Sequence, residues 1–194
     1  GLAALNMCSG IGGPGMPENR HLREAMLEAL PILYDLLEQV TQFYQQQLAK
    51  NSAAQAYLTS RGLDDKACEF WRLGYAPSDW QHLQQHFSRD VEGLKTVGLI
   101  RDSEKGRAYD LLRDRVIFPI RDAKGRVVGF GGRALNDEIK PKYINSPDSE
   151  VFHKNQLLYG LYEGRKLKAN DWLMVEGYMD SVFELVELSG GPLQ

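Results

Sequence analysis

The sequence has few cysteines and no long apolar run. Only Cys8 and Cys68 occur in its 194 residues. They form no Cys-x-x-Cys pair, so no zinc site can be read from them, and a reducing cytoplasm is the expected compartment. No apolar stretch approaches the ~20 residues that cross a bilayer, so no membrane association is expected. Residues 1–17 lack a basic stretch ahead of their small apolar patch, so a secretory leader is not expected either. Basic residues are missing from one region altogether: residues 169–194 hold 5 acids and no Lys or Arg.

That gap is half of a charge asymmetry. Residues 1–100 carry 8 basic and 11 acidic side chains, and residues 101–168 carry 15 and 10. The net charge of −3 taken alone argues against a nucleic-acid partner. A basic middle beside an acidic end instead suggests a phosphate-binding surface next to a cation site. An evenly solvated surface would carry the same charges.

Residues 1–21 read as a flexible leader or linker, rich in Gly and Pro. From about 22 to 50 the apolar residues Leu33, Leu36, Leu37, Val40, Phe43, Tyr44 and Leu48 recur every three or four positions, which predicts a helix with one buried stripe. Pro31 is expected at that helix's first turn or between two helices. Short helices are predicted over 52–62, 64–74, 79–87 and 91–97, with 73–77 as an ordered loop. His82 and His86 are spaced for one helix face, but no third ligand accompanies them.

Near Gly98 the period changes from helical to alternating. Arg115 to Arg121 and Arg126 to Arg133 read as two strands around a turn at 122–125, with Pro119 at an edge or a bulge. Gly129, Gly131 and Gly132 weaken the second strand unless something approaches its backbone closely; a nucleic-acid backbone and a tight turn both meet that need. Lys142 and Lys154 lie near Tyr143 and Phe152, a mixture of cations and rings that suits single-stranded nucleic acid. A helix is predicted over about 162–168. The whole reads as α+β: a helical first part and a small mixed sheet.

The last landmark is Trp172-Leu173-Met174-Val175-Glu176-Gly177-Tyr178-Met179-Asp180. An apolar run entering a turn reads as a strand of a parallel sheet, with Glu176 at its carboxyl end and Asp180 opening a helix. Two carboxylates around one turn suit a hard divalent cation, which for Mg²⁺ needs only one or two of them besides substrate phosphates. The same residues would equally serve as a helix cap and a solvent-facing acid.

An ordered set of segments carries a resemblance. It comprises Phe70-Trp71-Arg72-Leu73-Gly74-Tyr75-Ala76-Pro77, Arg113-Asp114-Arg115-Val116-Ile117-Phe118-Pro119-Ile120, Gly129-Phe130-Gly131-Gly132-Arg133, Pro141-Lys142-Tyr143-Ile144-Asn145-Ser146-Pro147, Phe152-His153-Lys154, Leu158-Tyr159-Gly160-Leu161 and Glu176-Gly177-Tyr178-Met179-Asp180. Together these resemble the RNA polymerase domain of bacterial replicative primases, over roughly residues 22–185. The resemblance implies an N-terminal subdomain over 22–168 and the first βα unit of a Toprim fold over 169–194. It implies template-directed synthesis of short RNA primers on single-stranded DNA from ribonucleoside triphosphates, with Mg²⁺ or Mn²⁺ and a replicative helicase as partner. Glu176 and Asp180 take the positions of the catalytic, metal-binding acids. Arg61, Arg113, Arg133, Lys142 and Lys154 take those of a basic ridge for template and nucleotide. Tyr143 and Asn145 lie beside that ridge, and Arg115 is a further member.

The family's zinc ribbon, its helicase-binding domain and its later Toprim acids are not found in these residues. The sequence is therefore expected to be a piece of a primase, inactive by itself. Two other readings stay open at this point. One is a different Toprim enzyme, a nuclease or topoisomerase. The other is a single-stranded DNA-binding module without catalysis.

Overall fold

The computed structural model describes residues 20–167 and Tyr178. The elements are α1 (Arg20–Lys50), α2 (Ser52–Ser60), α3 (Asp65–Trp71), β1 (Gly74–Ala76), α4 (His82–His86), α5 (Val91–Thr96), β2 (Ile100–Asp102), β3 (Ala108–Asp110), β4 (Arg115–Arg121), β5 (Val127–Ala134), β6 (Tyr143–Asn145) and α6 (Leu161–Lys166). A 3-10 turn, Lys154–Gln156, precedes α6. The class is α+β, as the sequence predicts. No helix among the described residues is long and apolar enough to cross a membrane. The expected leader before residue 20 and the βα unit of 169–194, Tyr178 excepted, lie outside the described residues.

The predicted stripe on α1 is the spine of the core. Leu33, Leu36, Leu37, Val40, Phe43, Tyr44 and Leu48 are all buried. The expectation that Pro31 stands at the first turn or between two helices is not met: one helix runs through it. Proline removes one backbone donor and crowds the preceding turn. The residues before it, Arg20 to Leu30, are mostly strong helix formers and carry the helix past that defect. His82 and His86 pack their rings near Phe43, with centroids 5.4 and 4.6 Å away. Among the described residues no three potential metal ligands come together.

The main sheet has the order β1-β4-β5-β6 with every pair antiparallel. The turn at 122–125 closes on the Asp122 carboxylate, which accepts from the amides of Lys124 and Arg126, and on Gly125 with φ +84°. Pairing of β1 to β4 stops at Ile117, so Pro119 lies beyond it, and a bulge follows between Ile120 and Arg121. Helix α1 crosses the sheet closely enough that Tyr44 meets Phe130 edge-on at 5.5 Å. A Cβ on Gly74 would fall 2.6 Å from the Tyr44 Cβ, so only glycine lets β1 lie beneath the helix.

Three short strands depart from the expectation. The loop predicted at 73–77 contains β1, the polar stretch after Gly98 forms the hairpin β2–β3, and the helix predicted over 79–87 shrinks to α4. A single acid organises that region. The buried Asp110 accepts from the Leu83 amide at 2.7 Å and the Gln84 amide at 3.3 Å, tying β3 to α4.

Burial raises the Asp110 carboxyl from 3.8 to about 6. A folded-state value above the unfolded one means that the folded chain holds the proton more tightly. This group's contribution is therefore most favourable below 3.8 and is lost as pH rises through 6. Urea midpoints should carry that downward limb, and Asp110→Asn should remove it. An identical pH dependence in the variant would refute the assignment.

Candidate nucleic-acid interface

Of the ridge residues, Arg61, Arg133 and Lys142 converge around the end of β5, the loop 135–142 and the C-terminus of α2. Arg133, on β5, lies with its guanidinium 4.8 Å above the Tyr57 ring, and Arg61 covers the same ring at 5.5 Å. Such stacking keeps a cation in place without neutralising it. Arg133 donates to the Ala134 carbonyl and, at 3.0 Å, to Asp137 Oδ1. Lys142 Nζ lies 3.7 Å from the same carboxylate oxygen.

Beneath them Arg115 donates to the carbonyls of Lys142 at 3.0 Å and Pro141 at 2.7 Å. It thereby clamps the strand end from which Lys142 and Tyr143 project. Lys142 and Tyr143 are exposed.

Arg115 and Arg133 do not stand on the surface as the ridge reading implied: they are 3% and 2% exposed. A guanidinium has five donors, so it can be buried when carbonyls and carboxylates surround it. These two arginines shape the ridge from below.

Arg113 packs instead against the rings of Trp80 and Tyr109. Asp114, between the two arginines, has φ +50°, a left-handed conformation that aspartate tolerates. Its carboxylate accepts from the Tyr75 hydroxyl at 2.8 Å. Arg113 lies 3.8 Å over the Trp80 ring and 5.4 Å from that of Tyr109, and donates to the Asp110 carbonyl. Trp80 is 62% exposed, an unusual place for so large a ring, and a π-face beside a guanidinium is a platform for an unpaired base. Lys154 sits exposed on the 3-10 turn.

Asn145 links the ridge to the acidic landmark. Its Oδ1 accepts from the Tyr178 hydroxyl at 2.8 Å. The Tyr178 ring stacks on Phe118, with centroids 5.6 Å apart and planes 14° apart, and meets Tyr159 edge-on at 4.7 Å. Burial pushes its phenol up to about 12. Glu176 and Asp180 themselves lie outside the described residues.

The glycines of β5 now have an explanation, and it is neither of the two anticipated. Gly131 makes room for Tyr178, Gly129 for Phe152, and Gly132 for Leu112 and Arg115. Phe152 is buried, so the aromatic beside Lys142 that remains on the surface is Tyr143. Trp80, Tyr57, Tyr109 and Asp137 were not singled out by the sequence. A tryptophan within Ser78-Asp79-Trp80-Gln81-His82, outside any apolar period, is the signal that could have revealed the first.

The family profile described as DNA primase catalytic core, N-terminal domain, matches residues 43–165. The DNA primase of Pasteurella multocida is 42% identical over 192 residues, 93% of this chain and 32% of that protein. The DNA primase of Escherichia coli K12 is 42% identical over 177 residues, 88% and 29% respectively. The chain thus spans about a third of the length of these curated relatives. Among solved structures, a DnaG primase catalytic domain bound to single-stranded DNA superposes with a TM-score of 0.79 at 38% identity, covering 87% of this chain and 57% of that one. The E. coli primase catalytic core gives 0.75 at 40%, covering 82% and 53%. On this sequence and fold agreement, the chain belongs to the family of the DNA primase catalytic core, N-terminal domain.

Proposed function

We propose that the chain is the part of a primase that holds single-stranded template DNA and incoming ribonucleotide while a short RNA primer is made. The observation that carries this reading is the clustering of Arg61, Arg133 and Lys142 around Tyr57 and Tyr143, with Arg113 laid on the exposed Trp80. Cations supply sequence-independent phosphate contacts, and the rings supply base stacking. Lys142, Lys154, Arg61 and Arg113 make the outer contacts with Tyr143 and Asn145, and Arg115 and Arg133 support them from beneath.

The body of 22–168 precedes a Toprim unit that begins at 169. Glu176 and Asp180 are its catalytic acids; as a donor set of hard oxygens they suit Mg²⁺ or Mn²⁺. A divalent ion bound there supplies charge neutralisation on the triphosphate and activation of the attacking hydroxyl. Tyr178, two residues from each acid and fixed to Asn145, ties this stretch to the ridge. The replicative helicase is the expected partner of the longer protein.

Binding to a labelled oligodeoxythymidine tests the ridge. The logarithm of affinity should fall with the logarithm of salt by about 0.7 for each phosphate neutralised on a single strand. Lys142→Ala and Lys154→Ala should each flatten that slope by about one such step. Trp80→Ala should leave the slope alone and weaken binding at every salt concentration, by about 1–3 kcal/mol. Binding indifferent to salt, or unchanged slopes in both lysine variants, would refute the ridge.

A further inference from the structure

An acid stands in the middle of the ridge's positive charge. Asp137 Oδ1 accepts from Arg133 at 3.0 Å and lies 3.7 Å from Lys142 Nζ. Lys142 first, then Arg133, hold its carboxyl below the ordinary range, and Arg61 adds a smaller pull. The position is built by the loop. Asn136 Oδ1 accepts from the Glu138 amide, and the Asn136 carbonyl accepts from the Ile139 amide, so the chain turns tightly around Asp137.

The partners differ sharply in exposure. The Arg133 side chain is 3% exposed and that of Asp137 is 70% exposed. Arg133 therefore cannot leave, whereas Asp137 covers it from the solvent side and can swing away. A carboxylate and a phosphate offer a guanidinium the same arrangement of anionic oxygens. An ion pair exposed on one side is weakly held and easily exchanged.

We propose that Asp137 is an internal counter-anion of the ridge: it occupies the place of one ligand phosphate and is displaced when that phosphate binds. The inference rests on the reading of the ridge as a phosphate-binding surface and adds the residue that sets its affinity. In the free protein Asp137 keeps the buried Arg133 paired, avoiding the large penalty of a lone buried charge. In the bound protein the phosphate takes over that pairing. Binding becomes an exchange of anions, weaker than the charge of the ridge alone would give, and this keeps a template strand releasable.

The test replaces the charge and keeps the shape. Asp137→Asn should bind oligodeoxythymidine about threefold to tenfold more tightly at low salt, the effect of removing one or two surface ion pairs. Its salt slope should steepen by about 0.7, one more phosphate neutralised. Asp137→Glu should bind as the parent does. Glu138→Gln makes the same change in net charge one residue on, at an exposed position, and should have a clearly smaller effect. Displacement by inorganic triphosphate, run in parallel, separates the two sources of phosphate. Tightening for the oligomer alone assigns the place to the template backbone, tightening for triphosphate alone assigns it to the nucleotide, and either supports the proposal. Equal gains from Asp137→Asn and Glu138→Gln would reduce the effect to net charge and overturn it, as would no gain from Asp137→Asn for either the oligomer or triphosphate. A parent protein with no salt-dependent binding would overturn the ridge reading itself and this inference with it.

Discussion

Glu163→Ala is expected to destabilise the fold by about 3–5 kcal/mol, the cost of stranding one member of a buried ion pair. Arg121 Nε donates to Glu163 Oε1 at 2.7 Å, with the two side chains 8% and 3% exposed. The same guanidinium donates to the Phe70 carbonyl at 2.8 Å and lies 5.1 Å from the Tyr162 ring. One cation therefore joins the end of β4 to α3 and α6. Removing the carboxylate leaves that cation in a site water reaches poorly. Glu163→Gln keeps the volume and one acceptor and should recover only part of the loss. Replacing both partners with apolar residues, Arg121→Met with Glu163→Leu, should recover most of it, because the desolvation cost goes along with the charges. Urea denaturation of the four proteins decides the matter. A loss below about 1 kcal/mol for Glu163→Ala would place the pair among ordinary surface contacts.

This pair also shows where sequence reading stops. Period and turn chemistry were enough for the large elements. The α1 stripe from Leu33 to Leu48 is buried as its spacing predicts, and the strands on either side of Gly125 pair around the anticipated turn. What failed was short or non-local. Strand β1 has three residues and no alternation of its own; its backbone is ordered by β4, about forty positions later, and by the helix lying over Gly74. The hairpin β2–β3 is polar and equally short.

At the site, charge counts located the basic region but could not distinguish a guanidinium facing water from one facing carbonyls. Arg115 and Arg133 were therefore placed on a surface that they in fact support from below. Asp137 was invisible for a related reason. An acid in a polar loop is unremarkable until the loop brings it within 3.7 Å of Lys142. The glycines of β5 did announce a close approach, but the approaching group is an aromatic ring of the chain itself, distant in sequence.

That last point yields the other large effect, at Gly131. Gly131 pairs with Phe118 on one side and Asn145 on the other, at the centre of the sheet. A Cβ there would fall 2.5 Å from Tyr178 Cε2 and 2.7 Å from its Cζ. The ring has little room to yield, being stacked on Phe118, set against Tyr159 and bonded to Asn145. Gly131→Ala should therefore lift Tyr178 off the sheet or spread the strands, at a cost of about 1–3 kcal/mol. By comparison Tyr178→Phe removes one hydrogen bond, about 0.5–1.5 kcal/mol. The displaced ring has its own signature. The Tyr178 phenol, pushed up to about 12 by burial, should return towards 10 in Gly131→Ala and add one tyrosine to the ordinary titrating group in an ultraviolet pH titration. A double-mutant cycle assigns the cause: against Tyr178→Ala, where no ring meets the new methyl, Gly131→Ala should cost far less. An equal cost in both backgrounds would mean that the glycine is kept for the strand and not for the ring, and Tyr178 would lose its claim to tie the acidic stretch to the ridge.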